Sequence, residues 1–122
     1  MSNSKKPPPV ESYPEHHRAL SVCQPFAEQI MRGEKTIEYR DYKTKVRGLV
    51  YLYATKKPRM DNFGDCGFSI NEVALGLIVG TVEIVDCTGS DGNYEWHLAE
   101  PKRFKTPLKS ERQPQPSFWF AF

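Results

Sequence analysis

A chain of 122 residues has room for one compact domain but not for two, because a single hydrophobic core usually needs about 100 to 150 residues. It has no apolar run near the roughly 20 residues that cross a bilayer and no apolar signal segment near its start, so we expect a cytoplasmic protein without a membrane partner. Its three cysteines are far apart and odd in number, which argues against a disulfide framework and a cysteine-rich zinc site.

The charges are segregated along the chain, although the net charge is only +2. Residues 31–60 carry nine basic and three acidic side chains, residues 61–100 carry eight acidic ones and no Lys or Arg, and residues 101–122 carry five basic and one acidic. If the two basic segments meet in the fold, they form a positive face suited to phosphate. If the segments interleave, the charges neutralise one another, and the sequence leaves both arrangements open.

The first 17 residues contain three consecutive prolines and show no hydrophobic periodicity. Such a segment buries too little apolar surface to offset its ordering entropy. We therefore predict a flexible N-terminal leader over residues 1–17 and one folded domain over residues 18–122. The domain is expected to open with a short apolar strand at residues 19–23.

A short helix is predicted directly after this strand. Pro25 stands where a helix can begin, since a proline in the first turn loses no needed N–H. The apolar residues that follow fall on one helical face, and Gly33 can end the helix in a left-handed conformation. These apolar residues are Phe26, Ala27, Ile30 and Met31.

Beyond Gly33 the apolar period changes from helical to alternating, which is typical of strands. In a regular strand over residues 35–40, Glu38 and Arg40 share one face and Lys35 lies on the other. Residues 48–55 predict a central strand, and residues 56–72 a long loop that includes a helical turn.

The second half of the chain predicts further strands. Residues 74–88 form the longest apolar stretch, and Gly76 and Gly80 within it suggest bends in a curved strand. We expect one helical turn at residues 94–101 and a closing strand at residues 118–122. Many strands with one or two short helices predict an α+β fold built as a small β-barrel.

Four separated blocks resemble the ASCH domain family. The segment LSVCQPFAEQIMRGEKTIEYR is similar to its opening signature, and GLVYLYATKKP is similar to its strand with an R-G start and an A-[ST] end. The segments YEWHLAEPKRFKTPL and PSFWF resemble its later blocks. The positions that match a G-x-K-x-x-E-x-R motif are Gly33, Lys35, Glu38 and Arg40, and those of the strand are Arg47, Gly48, Ala54 and Thr55. The resemblance covers residues 19–122 and implies a PUA-like β-barrel with flanking short helices and a cleft for RNA or modified nucleosides.

The residues of this signature suit a nucleic-acid or nucleotide ligand. A carboxylate such as Glu38 can accept from the amine of cytosine or from a ribose hydroxyl, and Arg40 offers a fork for phosphate or a base edge. Lys35 supplies a compact positive charge, and the basic run that follows can track a phosphate backbone. The alternative is that Glu38 and Arg40 are an exposed ion pair and the basic run is a solvated loop. The candidate ligand-binding residues are Lys35, Glu38, Arg40, Lys43, Lys45, Arg47, Lys56 and Lys57.

The rival hypothesis is an enzyme that acts on RNA, as a ribonuclease, or on a modified nucleoside. Lys35 would stabilise a developing anion and Glu38 would move a proton. These two side chains converge only if a bulge or the helix-to-strand turn re-aims one of them. In the branch of the family that hydrolyses acetylated cytidine, a threonine proposed as nucleophile occupies the position of Glu38, so the resemblance does not carry that mechanism over.

The remaining chemistry-bearing residues are less informative. His16, His17 and His97 do not make a metal-ligand spacing, and no phosphate-binding or dinucleotide motif is present, so no metal and no cofactor are expected. No obligate protein partner is evident either. Six aromatic residues are candidates either for a base-stacking platform or for the core: Tyr39, Tyr42, Tyr51, Tyr53, Trp96 and Trp119.

Overall fold

The computed structural model describes residues 18–109 and the backbone of a short strand near the C-terminus. The predicted flexible leader, residues 1–17, lies outside the described residues. The elements in chain order are β1 (Arg18–Val22), α1 (Phe26–Met31), β2 (Ile37–Arg40), β3 (Gly48–Ala54), two 3-10 turns (Met60–Asn62 and Ile70–Glu72), β4 (Leu77–Ser90), β5 (Asn93–Leu108) and β6 (Trp119–Ala121).

The strands form one mixed sheet in the order β2-β5-β4-β3-β1-β6. The pair β1 and β3 is parallel, and the other neighbouring pairs are antiparallel. The predicted α+β class is confirmed, and the small strand-rich fold is consistent with a PUA-like barrel. The predicted barrel is not closed by backbone pairing, because β2 and β6 lie at opposite edges of the sheet in the part of the chain that the structure describes.

The open sheet is nevertheless strongly curled. Nη2 of Arg40 on β2 donates a hydrogen bond to the carbonyl oxygen of Ser21 on β1, at 2.9 Å. Three strands separate β2 from β1 in the sheet, so a flat sheet would hold them about 19 Å apart at the usual strand spacing. An arginine side chain cannot span that distance, and the curl of the sheet therefore brings the two strands together.

Strand β3 is buried on both faces, which explains its nearly continuous apolar sequence. Val50, Leu52 and Ala54 belong to a core layer that also contains the apolar face of α1. Tyr51 and Tyr53 point to the other face and pack in a second cluster around Phe104. The prediction of a central strand at residues 48–55 is confirmed.

The predicted helix is also confirmed, from Phe26 to Met31, with Pro25 as its N-cap. The Gln24 side chain is fully buried and fixes its start: Oε1 accepts the N–H of Glu28 at 2.9 Å, and Nε2 donates to the Ala74 carbonyl at 3.0 Å. Gly33 follows the helix with φ +76°, the left-handed conformation expected at a helix end.

Irregular pairing bends β4 and β5. Their register shifts three times, once beside Gly80 as predicted, where a Cβ atom would lie 2.2 Å from the Lys102 carbonyl oxygen. Glu100 lies at another shift, with φ +54°. The shift moves side chains to the opposite face, so Trp96 packs in the first core layer and Phe104 in the second.

The predicted helical turn at residues 94–101 is wrong, because this segment lies inside β5. Tyr94, Trp96 and Leu98 alternate with more polar residues at the period of a strand, and β4 supplies a pairing partner along the segment. The long loop at residues 56–72 is confirmed, and both of its ordered turns are 3-10. Cys23, Cys66 and Cys87 are free thiols, and none of the described helices has the length and apolarity needed to cross a bilayer.

Candidate functional site

The turn between α1 and β2 decides where Lys35 points. The Gln29 carbonyl accepts the N–H groups of both Glu34, at 2.9 Å, and Lys35, at 3.1 Å, which pins the chain after the helix. Strand β2 begins only at Ile37, so Lys35 precedes it. The alternation of side chains between the two faces of a strand therefore does not apply to Lys35. Its Nζ lies 3.7 Å from Oε1 of Glu38. The turn therefore brings together two side chains that a regular strand would separate.

Glu38 and Arg40 form a close ion pair on the core face of β2. Nη2 of Arg40 lies 2.7 Å from Oε2 of Glu38, and only 7% of the Arg40 side chain and 12% of the Glu38 side chain are exposed. The same nitrogen donates to the Ser21 carbonyl. The alternative of an exposed ion pair is wrong, because the pair is buried and holds two strands together.

Aromatic rings surround these three charged residues, which we name the charged cluster (Lys35, Glu38 and Arg40). The Arg40 guanidinium lies 5.6 Å from the centre of the Trp96 ring. The Lys35 ammonium lies 5.3 Å from the Phe26 ring and 5.2 Å from the Tyr39 ring. Tyr39 is 64% exposed, whereas Trp96 is buried. The cluster is thus most deeply buried at Arg40, while the partly buried Lys35 lies beside the exposed ring of Tyr39.

A cleft of about 390 Å³ lies at the start of β3. Among the described residues that line it, three are basic and none is acidic. We name it the basic cleft, and its lining residues are Lys43, Thr44, Lys45, Arg47, Cys87, Gly89 and Tyr94. Gly89 closes one side with φ +111°, and a Cβ atom there would lie 2.1 Å from the Asn93 carbonyl oxygen. Only a glycine fits this end of the β4–β5 hairpin without displacing backbone.

The sheet register places the basic cleft beside the charged cluster. Arg40 opposes Tyr94 on β5, and Tyr94 opposes Gly89 on β4. Directly opposed residues share a sheet face and lie about 5 Å apart. The wall of the cleft therefore continues, on the same face, to the backbone of Arg40.

The predicted ligand-binding residues are not all brought together. Lys43, Lys45 and Arg47 precede β3, and Lys56 and Lys57 follow it. A strand of seven residues is about 20 Å long, so the two basic groups lie at opposite ends of β3. Lys56 and Lys57 are exposed but are not among the lining residues of the basic cleft.

A second charged group, which the sequence analysis did not single out, anchors α1. Both oxygens of the buried Glu28 accept from Arg103 on β5, at 2.8 and 2.7 Å, and Oε2 also accepts from Arg32 at 2.7 Å. Burial alone would raise the pKa of Glu28, but the hydrogen bonds and charges of Arg103 and Arg32 outweigh it and lower the pKa. The i to i+4 spacing of Glu28 and Arg32 in the sequence predicts their ion pair, but it does not predict the contact with Arg103.

The other candidates divide between the core and the surface. Tyr51, Tyr53 and Trp96 are core residues, and burial raises the pKa of Tyr53. Tyr42 is exposed like Tyr39, and the side chain of Trp119 lies outside the described part of the structure. His97 shares a 2.8 Å hydrogen bond with Thr88. Among the described residues, no group of His, Cys, Asp and Glu side chains is arranged to hold a metal ion.

Comparison with known proteins identifies the family of this chain. A family model described as the ASCH domain matches residues 20–117. The chain belongs to the ASCH domain family. Human Activating signal cointegrator 1 is 35% identical to this ASCH domain over 81 residues, which cover 56% of this chain and 14% of that protein. The chain therefore corresponds to a small part of that relative's length.

Proposed function

We propose that this ASCH domain binds single-stranded RNA or a nucleotide, with phosphate groups in the basic cleft and a base or ribose at the charged cluster. The observation that carries this proposal is the lining of the cleft by Lys43, Lys45 and Arg47, with no carboxylate among the lining residues that the structure describes. Membership of the ASCH family supports the same ligand class. Lys56 and Lys57, at the far end of β3, would contact RNA that extends beyond the cleft.

The cleft suits phosphate on electrostatic grounds. Lys43 and Lys45 are exposed, so each can approach a phosphate without desolvating a buried charge. Neutralising phosphates releases counterions, and for single strands the logarithm of the affinity falls with the logarithm of salt by about 0.7 per phosphate contacted. Salt dependence therefore reports the number of phosphate contacts.

At the charged cluster, Arg40 and Lys35 would have different roles. Arg40 already donates to Glu38 and to the Ser21 carbonyl, which supports a role in holding the Glu38 carboxylate in place. The partly exposed Lys35 and the ring of Tyr39 are positioned to contact a ribose, a base or a further phosphate. Exposed aromatic rings stack on unpaired bases at about 1 to 3 kcal/mol per base.

The test is fluorescence anisotropy with a labelled single-stranded RNA, titrated at about 50 and 200 mM salt. The parent should bind more weakly at the higher salt concentration. Lys43→Glu and Lys45→Glu should each weaken binding by about tenfold or more, and a free mononucleotide should compete if the cleft takes a single nucleotide. Lys105→Glu is the matched control, with an RNA too short to extend beyond the cleft, since Lys105 is exposed near the far end of β5. Absent binding at low salt, or equal effects of all three reversals, would contradict the proposal.

A second candidate function is catalysis by Lys35 and Glu38 on RNA or a modified nucleoside. The observation in its favour is the 3.7 Å approach of the Lys35 ammonium to the Glu38 carboxylate, which supplies the convergence that an acid–base pair needs. Purified protein would be assayed on acetylated cytidine and on single-stranded RNA beside Lys35→Ala and Glu38→Gln. Turnover that both variants lose while RNA affinity survives would establish it. Turnover unchanged by both would remove these residues from catalysis.

A further inference from the structure

We infer that Arg47 and Asp86 position the lysines of the basic cleft, and that Arg47 is not itself a phosphate ligand. The segment concerned is the basic loop, residues 43–47, between β2 and β3. The inference rests on the proposed function for its effect on RNA binding. Its structural part, that the Arg47–Asp86 contact orders the basic loop, is independent of any ligand.

The Arg47 side chain folds back on its own loop. Its Nη1 donates to the carbonyl oxygen of Thr44 at 3.0 Å and to that of Val46 at 2.9 Å. Thr44 Oγ1 in turn accepts the N–H of Val46 at 3.1 Å. A guanidinium offers a fixed fork of donors that a lysine cannot reproduce. One nitrogen of the Arg47 fork, Nη1, is already hydrogen-bonded within the turn that carries Lys43 and Lys45.

Asp86 connects this loop to the sheet. Its Oδ1 accepts the N–H of Cys87 at 2.8 Å, which fixes the carboxylate on β4, and lies 3.8 Å from Nη2 of Arg47. Both side chains are substantially exposed, so their ion pair contributes little energy by itself. Its effect is geometric, because it holds the other end of the guanidinium near the strand whose Cys87 and Gly89 also line the cleft.

This arrangement and simple electrostatics predict opposite effects on RNA affinity when the Asp86 carboxylate is removed. Removing a carboxylate near an RNA site strengthens binding if the site responds only to charge. If Asp86 positions the basic loop, Asp86→Asn weakens binding instead, by about two- to fivefold, the scale of one exposed ion pair. Arg47→Lys keeps the charge but loses the fork, and it should weaken binding by a similar factor.

The first measurement is the affinity of the full chain for a labelled single-stranded RNA over a series of salt concentrations. Asp86→Asn and Arg47→Lys should bind more weakly than the parent with the same salt slope. Lys45→Met should lower the slope by about 0.7, because it removes a phosphate contact. Asp91→Asn is the matched control, since it removes the same charge from the exposed tip of the same hairpin. Asp86→Asn binding as tightly as the parent or more tightly would overturn the inference. So would a slope lowered by about 0.7 in Arg47→Met, because that variant removes the charge and would thereby reveal a phosphate contact of Arg47.

The second measurement needs no ligand. Amide hydrogen exchange of residues 44–47 should be about fivefold faster in Asp86→Asn and Arg47→Lys than in the parent and in Asp91→Asn. Unchanged exchange in both variants would refute the ordering of the loop, whether or not RNA binds. Faster exchange in a protein that does not bind RNA would uphold the ordering and refute the proposed function together with the inferred effect on affinity.

Discussion

At the residue scale, Arg40 serves two acceptors at once, the carboxylate of Glu38 and the carbonyl of Ser21. Both charged side chains are nearly buried, so each depends on the other to offset its desolvation. Lys35 differs, because it stands 3.7 Å from Glu38 and 18% of its side chain is exposed. The same cluster therefore combines a closely paired, nearly buried arginine with a more distant and partly exposed lysine.

This difference predicts unequal costs of substitution. Arg40→Met should lower the free energy of unfolding by about 3 to 5 kcal/mol, because it removes the close partner of the nearly buried Glu38 and leaves only the Lys35 ammonium at 3.7 Å. Lys35→Met should cost less than Arg40→Met, because the Lys35 ammonium stands farther from the Glu38 carboxylate and Arg40 remains as the closer partner. Urea unfolding at neutral pH would measure both variants. The double variant Arg40→Met with Glu38→Leu should recover part of the loss, and equal costs for the two single variants would contradict the assignment.

At the scale of elements, α1 is fixed from both sides. Its apolar face packs on the first core layer, and Glu28 connects it to β5 through Arg103. Arg32 adds a contact with the long loop, since its guanidinium lies 4.4 Å from the centre of the Phe68 ring. A helix of only six residues is not stable by itself, so these contacts determine its position.

The lowered pKa of Glu28 predicts acid sensitivity. A carboxyl whose pKa is lower in the folded state contributes stability above its ordinary value of 4.5, and this contribution is lost as the pH falls through the folded pKa. The free energy of unfolding, followed from neutral pH to about pH 3, should therefore fall less steeply in Glu28→Gln than in the parent. Asp65→Asn, which removes a carboxylate at an exposed loop position, is the control variant. A Glu28→Gln profile parallel to that of the parent would contradict this prediction.

At the scale of the whole molecule, the curled sheet has a stable centre and weaker edges. Strand β3 is paired on both sides and buried on both faces, whereas β2 has four residues and, among the described strands, pairs only with β5. The contact from Arg40 to Ser21 connects that edge to β1 without backbone pairing. The candidate site is thus built along the edge of the sheet, and the core of the molecule supports it.

This organisation predicts an order of amide exchange. Amides of residues 50–53 in β3 should exchange slowest, at rates close to those set by global unfolding, and the amides of β2 should exchange through local opening. Arg40→Met should accelerate exchange in β2 more than its effect on global stability accounts for. Nuclear magnetic resonance exchange rates would test this order. Protection in β2 equal to that in β3 would show that the edge does not open separately.

Local chemistry was sufficient to predict several elements. Pro25 and Gly33 bound the helix correctly because a first-turn proline and a left-handed glycine act within one turn of chain. The apolar run of β3 identified a central strand, and Gly80 identified a bend. The segment at residues 94–101 was wrongly predicted as a helical turn, because its pairing with β4 is a tertiary contact that overrides weak local preference.

The sequence by itself determined the fold class, the family signature and the residue types of the candidate site, since period, turn chemistry and motif spacing are local properties of the chain. Only the tertiary structure decided which charges meet. It turned Lys35 toward Glu38 through the Gln29 carbonyl and buried Arg40 against Ser21. It also placed the lysines before and after β3 at opposite ends of that strand. Side-chain proximity depends on the curl and register of the whole sheet, which no single segment encodes.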